Sequence, residues 1–585
     1  MFWIYEMKKN HFSGLAPATL IIGVCLAANL ATLSVGLPSR AKATLIFEEG
    51  TQQQYVPALK QLREKIYEQI TTGETVTIIK NLKPAVIDEV PYNVSRSFLL
   101  QTIWPDETAP VRALQNINPQ HLQFNPHFHQ YGPLFFYSAG AAIQIGAWIG
   151  MFPNPHQIEA YLANPEYAKR MWMAPRLISA FSMTLAAFII FFLARTAYGP
   201  YWGIFACALI ASSPVLLMES HYLKPYNQAA LLNSVVLLFL FRTRETWRAK
   251  YLFFAAFLSI IGVGFLPTNA TLISAIVVIA WTTRGRYHGQ QFVFLKCMGI
   301  LVISFIIFDP WWLLATKEAI YAFSGDPAAK PKAMFSLVNW LRSWLYYYPE
   351  GSNYILFMTA AAGIIIGVIR KNFLVIICAV PIILLTPMLA LSAIPHYVSS
   401  VYPAIVLAAV YALRELHRFS HRISKTLAGL MLAYGLCQFA FYLRVLQQFD
   451  VVQLQAGQWI NKNIPRGSTV GSPHMTPLLP PFHFFDYQLM PIGPTADCVA
   501  TDLASTHPDY YVAHGSSAPD TQKTLGSFYK PIAAFQVHTP FDSFVKNYLF
   551  ALLMEPITIY IAKDISLPSE NEKSRTTTTI RPARI

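Results

Sequence analysis

The chain has 585 residues, of which 54% are hydrophobic, 14% aromatic and only 13% charged. Soluble proteins carry about 25% charged residues. That deficit excludes a wholly water-exposed protein, and the apolar residues fall in runs of roughly 18 or more that read as membrane-spanning helices. The net charge of +14 does not mark a nucleic-acid partner, because the segment from Arg444 onward is neutral, with 11 basic and 11 acidic residues. Four short loops, Arg242–Lys250, Arg284–Lys296, Arg370–Lys371 and Arg414–Lys425, hold 13 basic and 2 acidic residues. Short loops enriched in Lys and Arg are the positive-inside signature of cytoplasmic loops, not the continuous basic face that nucleic acid requires.

The composition and the spacing of apolar runs predict a polytopic α-helical membrane protein of about 12–13 transmembrane helices, followed by a small α/β extracytoplasmic C-terminal domain. Residues 1–36 read as a cytoplasmic N-terminus with Lys8 and Lys9, then a first apolar anchor over Gly14–Gly36. Met7-Lys8-Lys9 resembles a start and Ala41-Lys42-Ala43 a signal cleavage site, but the apolar run is long for a signal core, which favours an uncleaved anchor. Residues 37–131 form a long first extracytoplasmic loop. Residues 132–443 are expected to hold the multi-helix transmembrane domain, with spans at Gly132–Met151, Leu177–Ala197, Tyr201–Met218, Asn227–Phe241, Tyr251–Phe265, Thr268–Thr283, Phe292–Ala315, Tyr354–Ile369, Phe373–Ser392, Tyr397–Leu413 and Thr426–Leu443.

Leu266-Pro267-Thr268 joins two spans in a tight hairpin with basic residues at both outer ends, so this turn faces out. Counting from it places Glu219–Tyr226, Asp309–Gly351 and the tail outside. A conflict follows in the first third. With Lys8 and Lys9 inside, 12 spans cannot leave the tail outside, so either one more crossing or a re-entrant segment lies between about residues 37 and 176, or the N-terminus is outside; the expectation is 13 crossings or near-crossings. In the tail, Val451–Ile464 reads as an amphipathic helix ended by Pro465-Arg466-Gly467, and the short apolar runs at Thr469, Tyr510–Val512 and Ile557–Ile561 read as strands. Residues 444–566 make a small extracytoplasmic α/β domain and 567–585 a disordered tail. Of the six cysteines, Cys25, Cys207, Cys297, Cys378 and Cys437 lie in apolar segments and Cys498 outside them, with no disulfide or zinc-ligand spacing.

The long first loop has the densest chemistry. Trp104-Pro105-Asp106-Glu107 presents two adjacent carboxylates after a proline. They suit a helix N-terminus, a general base for an acceptor hydroxyl or amine, or a hold on a divalent metal or metal-bound phosphate. His127, His129 and Tyr131 lie in the run NPHFHQYGP just before a span, where they suit hydrogen bonding to a sugar or phosphate, or an interfacial aromatic belt. The i, i+2 histidine spacing is poor for zinc. Asp309 at the edge of a span, Tyr346–Tyr348, and the outer-loop residues Lys317, Lys330 and Lys332 are weaker candidates, as are His474 and His483 in the tail.

Taken together, "PDE", "NPHFHQYGPLFFY", "APRLISAF", "SPVLLMESHYLKPYN", "PHYVSSVYP", and in the tail "AGQWINKNIPRGSTV" and "PDYYVAHG", resemble the GT-C superfamily of integral-membrane glycosyltransferases. The nearest branch is the protein-O-mannosyltransferase and aminoarabinose-transferase-like group (glycosyltransferase family 39-like). The resemblance covers most of the chain from about Phe98, as scattered short motifs. It implies a sugar donor linked to polyprenyl phosphate, a membrane lipid environment, and an acceptor protein, lipid or glycan on the extracytoplasmic side of a bacterial inner membrane. It implies Asp106 as catalytic base beside Glu107, with substrate contacts from His127, His129, Tyr131, His221, Lys224, His396 and Tyr397. The basic-aromatic pair that opens a late span in relatives is Arg-Tyr in many and His396-Tyr397 here. The second outer loop, where many relatives carry an Asp, has Lys224-Pro225-Tyr226, with Glu219 nearby. The leaving phosphate would be stabilised by Lys224, His396 or Arg176. No cofactor is required, and metal use is left open. Against this stand a transporter or flippase, disfavoured because few charges lie mid-span, and a non-catalytic scaffold of the same fold.

Overall fold

The computed structural model describes residues 14–71, 90–283, 286, 292–324, 336–392, 394–473, 479–492, 496–515, 519–538 and 553–565. Lys8, Lys9, Lys330, Lys332, His474 and the expected tail 567–585 lie outside these residues. The first anchor is α1 (Leu15–Thr32), an 18-residue helix. It leads to four helices of the first loop: α2 (Arg40–Ile46), α3 (Gln52–Thr71), α4 (Val90–Leu100) and α5 (Pro105–Gln115). Local chemistry sets their starts. The Ser39 hydroxyl accepts from the Lys42 amide at 3.3 Å to begin α2. Pro105 occupies the first turn of α5, where a missing N–H goes unnoticed.

The apolar run over Gly132–Met151 becomes α6 (Pro133–Trp148). After it come α7 (Ile158–Ala163), the 34-residue α8 (Pro165–Tyr198), and the pair α9 (Pro200–Ala211) and α10 (Pro214–Ser220), bent by 50° at the break. The bundle continues through α11 (Tyr226–Thr246), α12 (Ala249–Phe265), α13 (Thr271–Thr282) and α14 (Val293–Phe308). The short α15 (Thr316–Ser324) precedes α16 (Tyr354–Ile369), α17 (Phe373–Ser392), α18 (Tyr402–Phe419) and α19 (His421–Asn463). A helix therefore stands at each of the twelve predicted spans.

Among the described residues, α1, α8, α17, α18 with its leading turn, and α19 are long and apolar enough to cross a membrane, and the bent α9–α10 pair makes a sixth. Helices α12, α14 and α16, and the segment Pro267–Thr282, are apolar but shorter. They pack against these in one continuous core that includes Ile190, Ile210, Leu217, Ile260, Leu356 and Leu407.

Helix α6 stands in the part of the chain where the topological conflict arises. Its first end meets the α12–α13 hairpin, where the Gly132 amide donates to the Phe265 carbonyl at 3.0 Å. A Cβ on Gly132 would strike the carbonyl of Gly264, so glycine is required for this approach. Beyond its other end, α7 meets the first-loop helices. There Lys60 of α3 pairs with Glu159 of α7 at 2.5 Å, and the Gln52 side chain donates to the Leu162 carbonyl at 2.6 Å.

The predicted amphipathic helix Val451–Ile464 is not separate from the last span. Both belong to α19, whose 43 residues carry the chain out of the bundle. A five-stranded mixed sheet follows: β1 (Thr469–Pro473), β2 (Gln488–Ile492), β3 (Tyr510–His514), β4 (Tyr529–Phe535) and β5 (Ile557–Ala562), in the order β2-β1-β3-β5-β4. The first three are parallel, and β5 runs antiparallel to both β3 and β4. Helices α20 (Ala496–Thr506) and α21 (Pro519–Phe528) supply the crossovers that parallel strands need. Ile46, Leu59, Phe98 and Leu99 of the first loop pack with Ile460, Phe482, Tyr510 and Ile559 in one cluster. The first loop and the sheet therefore share a core above the bundle.

Candidate active site

The proline-led start of α5 aims two adjacent carboxylates in opposite directions. Glu107 points inward and is fully buried, and Arg176 of α8 grips it with two bonds, Nε to Oε1 at 3.0 Å and Nη2 to Oε2 at 2.6 Å. The backbone amide of Leu223 also donates to Oε1, at 2.6 Å. The remaining Arg176 nitrogen, Nη1, donates to the carbonyls of Leu33 (2.9 Å) and Val35 (3.1 Å). One buried ion pair therefore ties together α1, α5, α8 and the loop after α10. This corrects the expectation that Arg176 helps hold a leaving phosphate, since its guanidinium is fully buried and every nitrogen is engaged. It also weakens a metal held between the two acids, because both Glu107 oxygens are committed. Among the described residues no group of three or more His, Cys, Asp or Glu side chains clusters at metal-binding distance.

Asp106 points outward, with its side chain 69% exposed. Its Oδ2 accepts from Lys224 Nζ at 2.9 Å, while Lys224 itself is only 6% exposed. Burial opposes the Lys224 charge, yet the Tyr131 hydroxyl and the Glu219 and Asp106 carboxylates outweigh it and raise its pKa above the ordinary lysine value. The result is an ammonium at the foot of an exposed carboxylate. The Glu107–Leu223 bond fixes the backbone beside Lys224 and so sets where this cation stands.

Aromatic rings wall the cation. Tyr131 packs edge-on to Tyr226 at 6.3 Å, and Tyr226 lies 5.1 Å from the His396 ring and 5.8 Å from that of Tyr397. Burial pushes the Tyr131 phenol above its usual range, with Lys224 pulling the other way. Asp106, Lys224, Tyr131, His396 and Tyr397 are thus brought together from four separate stretches of chain.

The other predicted residues lie elsewhere. His221 is fully buried, with Nδ1 donating to the Leu217 carbonyl at 2.8 Å and Nε2 2.9 Å from the Thr32 hydroxyl of α1, so both ring nitrogens are spoken for. His127 and His129 both meet Oε2 of Glu318, at 3.0 and 3.2 Å, and so clasp α15 to the first loop. His127 adopts a left-handed backbone (φ 52°), unusual for a residue with a Cβ. The burial of Glu318 would raise its pKa, but the two histidines prevail and hold it below the usual carboxylate value.

The sequence does not reveal what three residues contact. Glu318 is 191 positions from His127, and nothing in the spacing links them. Glu219 was noted only as a neighbour of Lys224. The pairing of Arg176 with Glu107 had one available signal, since a lone arginine within an apolar run demands a buried partner.

No family model and no curated protein matches the chain. Among solved structures it is similar to ArnT from Cupriavidus metallidurans in the apo state, at 13% identity over 81% of this chain and 97% of that one, with a TM-score of 0.41. The same protein bound to undecaprenyl phosphate aligns at 12% identity over 79% and 94% of the two chains, with a TM-score of 0.38. The Archaeoglobus fulgidus oligosaccharyltransferase in complex with zinc and sulfate aligns at 12% identity over 66% of this chain and 60% of that one, with a TM-score of 0.33. At scores this low no residue role is carried across, and the chemistry below rests on this chain's own side chains.

Proposed function

We propose that this chain is a membrane glycosyltransferase that moves a sugar from a polyprenyl-phosphate-linked donor to an acceptor on the extracytoplasmic face of a bacterial inner membrane. The observation that carries the reading is the Asp106–Lys224 pair, an exposed carboxylate hydrogen-bonded at 2.9 Å to a buried lysine. The motif resemblance to GT-C glycosyltransferases, carried by Trp104-Pro105-Asp106-Glu107 and the later runs, supports the same reading. A lipid donor suits a site at the end of an apolar bundle, because its chain stays in the bilayer while its phosphate reaches the surface.

In this mechanism Lys224 turns from Asp106 to the donor phosphate, which frees Oδ2. Asp106 then accepts the proton of an acceptor hydroxyl or amine as that atom attacks the anomeric carbon. The bond from the anomeric carbon to the phosphate oxygen breaks, and the electron pair leaves on the lipid phosphate, where Lys224 stabilises the charge. A phosphate is already a competent leaving group, so a single carboxylate suffices and the sugar carbon inverts. Tyr131, His396 and Tyr397 would line the sugar side, and Glu107 acts as a positioning residue through Leu223.

The test is consumption of a panel of polyprenyl-phosphate sugars by the purified protein and by Asp106→Asn. Wild-type turnover of one donor, with loss of about 10²–10⁴-fold in the variant, supports the base assignment. Equal turnover by both refutes Asp106 as base.

A further inference from the structure

Helices α16 and α18 run side by side, and a glycine sets their register. A Cβ on Gly363 would strike the Ala408 carbonyl, so the two backbones meet at that point. Seven residues further along each chain segment, about 10 Å at the helical rise, Arg370 just past the end of α16 meets Glu415 near the end of α18. The Glu415 side chain is only 3% exposed, and both its oxygens face arginines. Oε2 accepts from Nη1 of Arg370 and from Nη1 of Arg418 at 3.0 Å, and Oε1 lies 3.9 Å from Nη1 of Arg414. One carboxylate therefore gathers three guanidinium groups, which leaves positive charge in excess. Arg370 and Arg418 stay 42% and 54% exposed. Among the described residues each of these two side chains donates through Nη1 alone, to Glu415, although a guanidinium carries five N–H donors. The apolar surface beside them is open as well. Ile365, Val368 and Ile369 form an exposed stripe on one face of α16 that ends at Arg370, and the exposed Phe419 ring lies 5.9 Å from the Arg370 guanidinium.

We propose that this cluster is a binding site for an anionic phospholipid, with the headgroup phosphate on Arg370 and Arg418 and an acyl chain along the Ile365–Ile369 face of α16. Guanidinium forks match phosphate oxygens with paired N–H donors. Glu415 orients the forks without neutralising them, because three cations share its single charge. An anionic headgroup cancels that surplus, whereas a zwitterionic one brings its own amine against it. A free phosphate would use the arginines and leave the stripe uncovered, so the stripe favours a lipid. Two of the four basic loops, Arg370–Lys371 and Arg414–Lys425, converge here from separate parts of the chain. The site also stands apart from the candidate active site. His396 and Tyr397, which wall the Lys224 end, lie in the turn before α18. Arg414 and Arg418 lie at its far end, and the segment Pro395–Phe419 is long and apolar enough to cross a membrane. This lipid is therefore distinct from the sugar donor, and it sits at the opposite end of the span.

The test is native mass spectrometry of the detergent-solubilised full chain titrated with dioleoyl phosphatidylglycerol or dioleoyl phosphatidylcholine. The wild type is expected to retain the anionic lipid about tenfold more than the zwitterionic one, and Arg370→Gln/Arg418→Gln to lose that preference. Arg244→Gln/Arg248→Gln removes the same charge from exposed positions of another basic loop and is expected to keep it. Equal retention of the two lipids by the wild type overturns the proposal, as does an unchanged preference in Arg370→Gln/Arg418→Gln. Equal loss in both double variants also overturns it, because the attraction then belongs to the basic loops at large. Glycerol phosphate, a headgroup without acyl chains, is expected to leave the lipid bound at equal concentration, and displacement by it refutes the lipid in favour of a soluble phosphate. If losing two arginines orphans Glu415 and the protein fails to fold, Arg370→Gln/Glu415→Gln/Arg418→Gln is the second variant. Loss of the preference in that variant supports the site, and a kept preference overturns it. Lipid retention needs no sugar donor, so its outcome is independent of the glycosyltransferase reading.

Discussion

Replacing Arg176 with methionine removes the cation from a pair whose side chains are both fully buried. Glu107 then loses bonds of 3.0 and 2.6 Å, and the carbonyls of Leu33 and Val35 lose their donors. Breaking a buried pair on one side costs about 3–5 kcal/mol, because the remaining charge is left uncompensated. At about 1.4 kcal/mol per decade, the unfolding equilibrium should move by about 10²-fold to 4 × 10³-fold. Neutralising the second partner as well, in Arg176→Met/Glu107→Gln, removes the orphaned charge and should recover more than half of the loss, since buried pairs are replaceable by neutral groups at little net cost. The assay is unfolding in mixed micelles of rising denaturing-detergent fraction, followed by tryptophan fluorescence for wild type, both single variants and the double variant. A loss under about 1 kcal/mol for Arg176→Met, or a double variant no more stable than the worse single, would falsify the reasoning.

Three further outcomes are expected. Lys224→Met should lower turnover of any active donor by about 10²–10³-fold, the effect of deleting one electrostatic stabiliser of a developing charge, and an undiminished rate would remove Lys224 from the phosphate site. Gly132→Ala forces a methyl into the Gly264 carbonyl and should cost about 1–3 kcal/mol, whereas Gly299→Ala meets open space and should be neutral or stabilising. Equal thermal stability of these two variants would contradict the close approach of α6 to the hairpin. Because the Glu318 pKa is depressed in the folded protein, its contribution to the clasp is present above the ordinary carboxylate pKa and lost as pH falls through the depressed value. Amide exchange of Phe128–Tyr131 should therefore accelerate in that acid window in the wild type, and already at neutral pH in Glu318→Gln.

The helical character of the chain and nearly every helix position are legible in one dimension, because they depend on local quantities. Low charge density and long apolar runs specify spans, and proline-led starts such as Pro105 and Pro214 and hydroxyl caps such as Ser39 and Ser420 specify where helices begin. The same local patterning marked the strands at Thr469, Tyr510 and Ile557, and the acidic pair stood out as two adjacent charges in an apolar sequence. What Asp106 and Glu107 each do was not readable there. Adjacent residues at a helix start differ only in which side they face, and packing alone turned Glu107 onto Arg176, 69 positions away, and left Asp106 to Lys224, 118 positions away. Packing likewise set the start of α6 against the α12–α13 hairpin, since hydropathy measures how apolar a segment is and not what its ends touch. It also took His221 out of reach by bonding both ring nitrogens, and left the Glu219 carboxyl buried with no hydrogen-bond partner among the described residues. Each of these depends on contacts between segments far apart in sequence, for which the spacing of residues along the chain carries no signal.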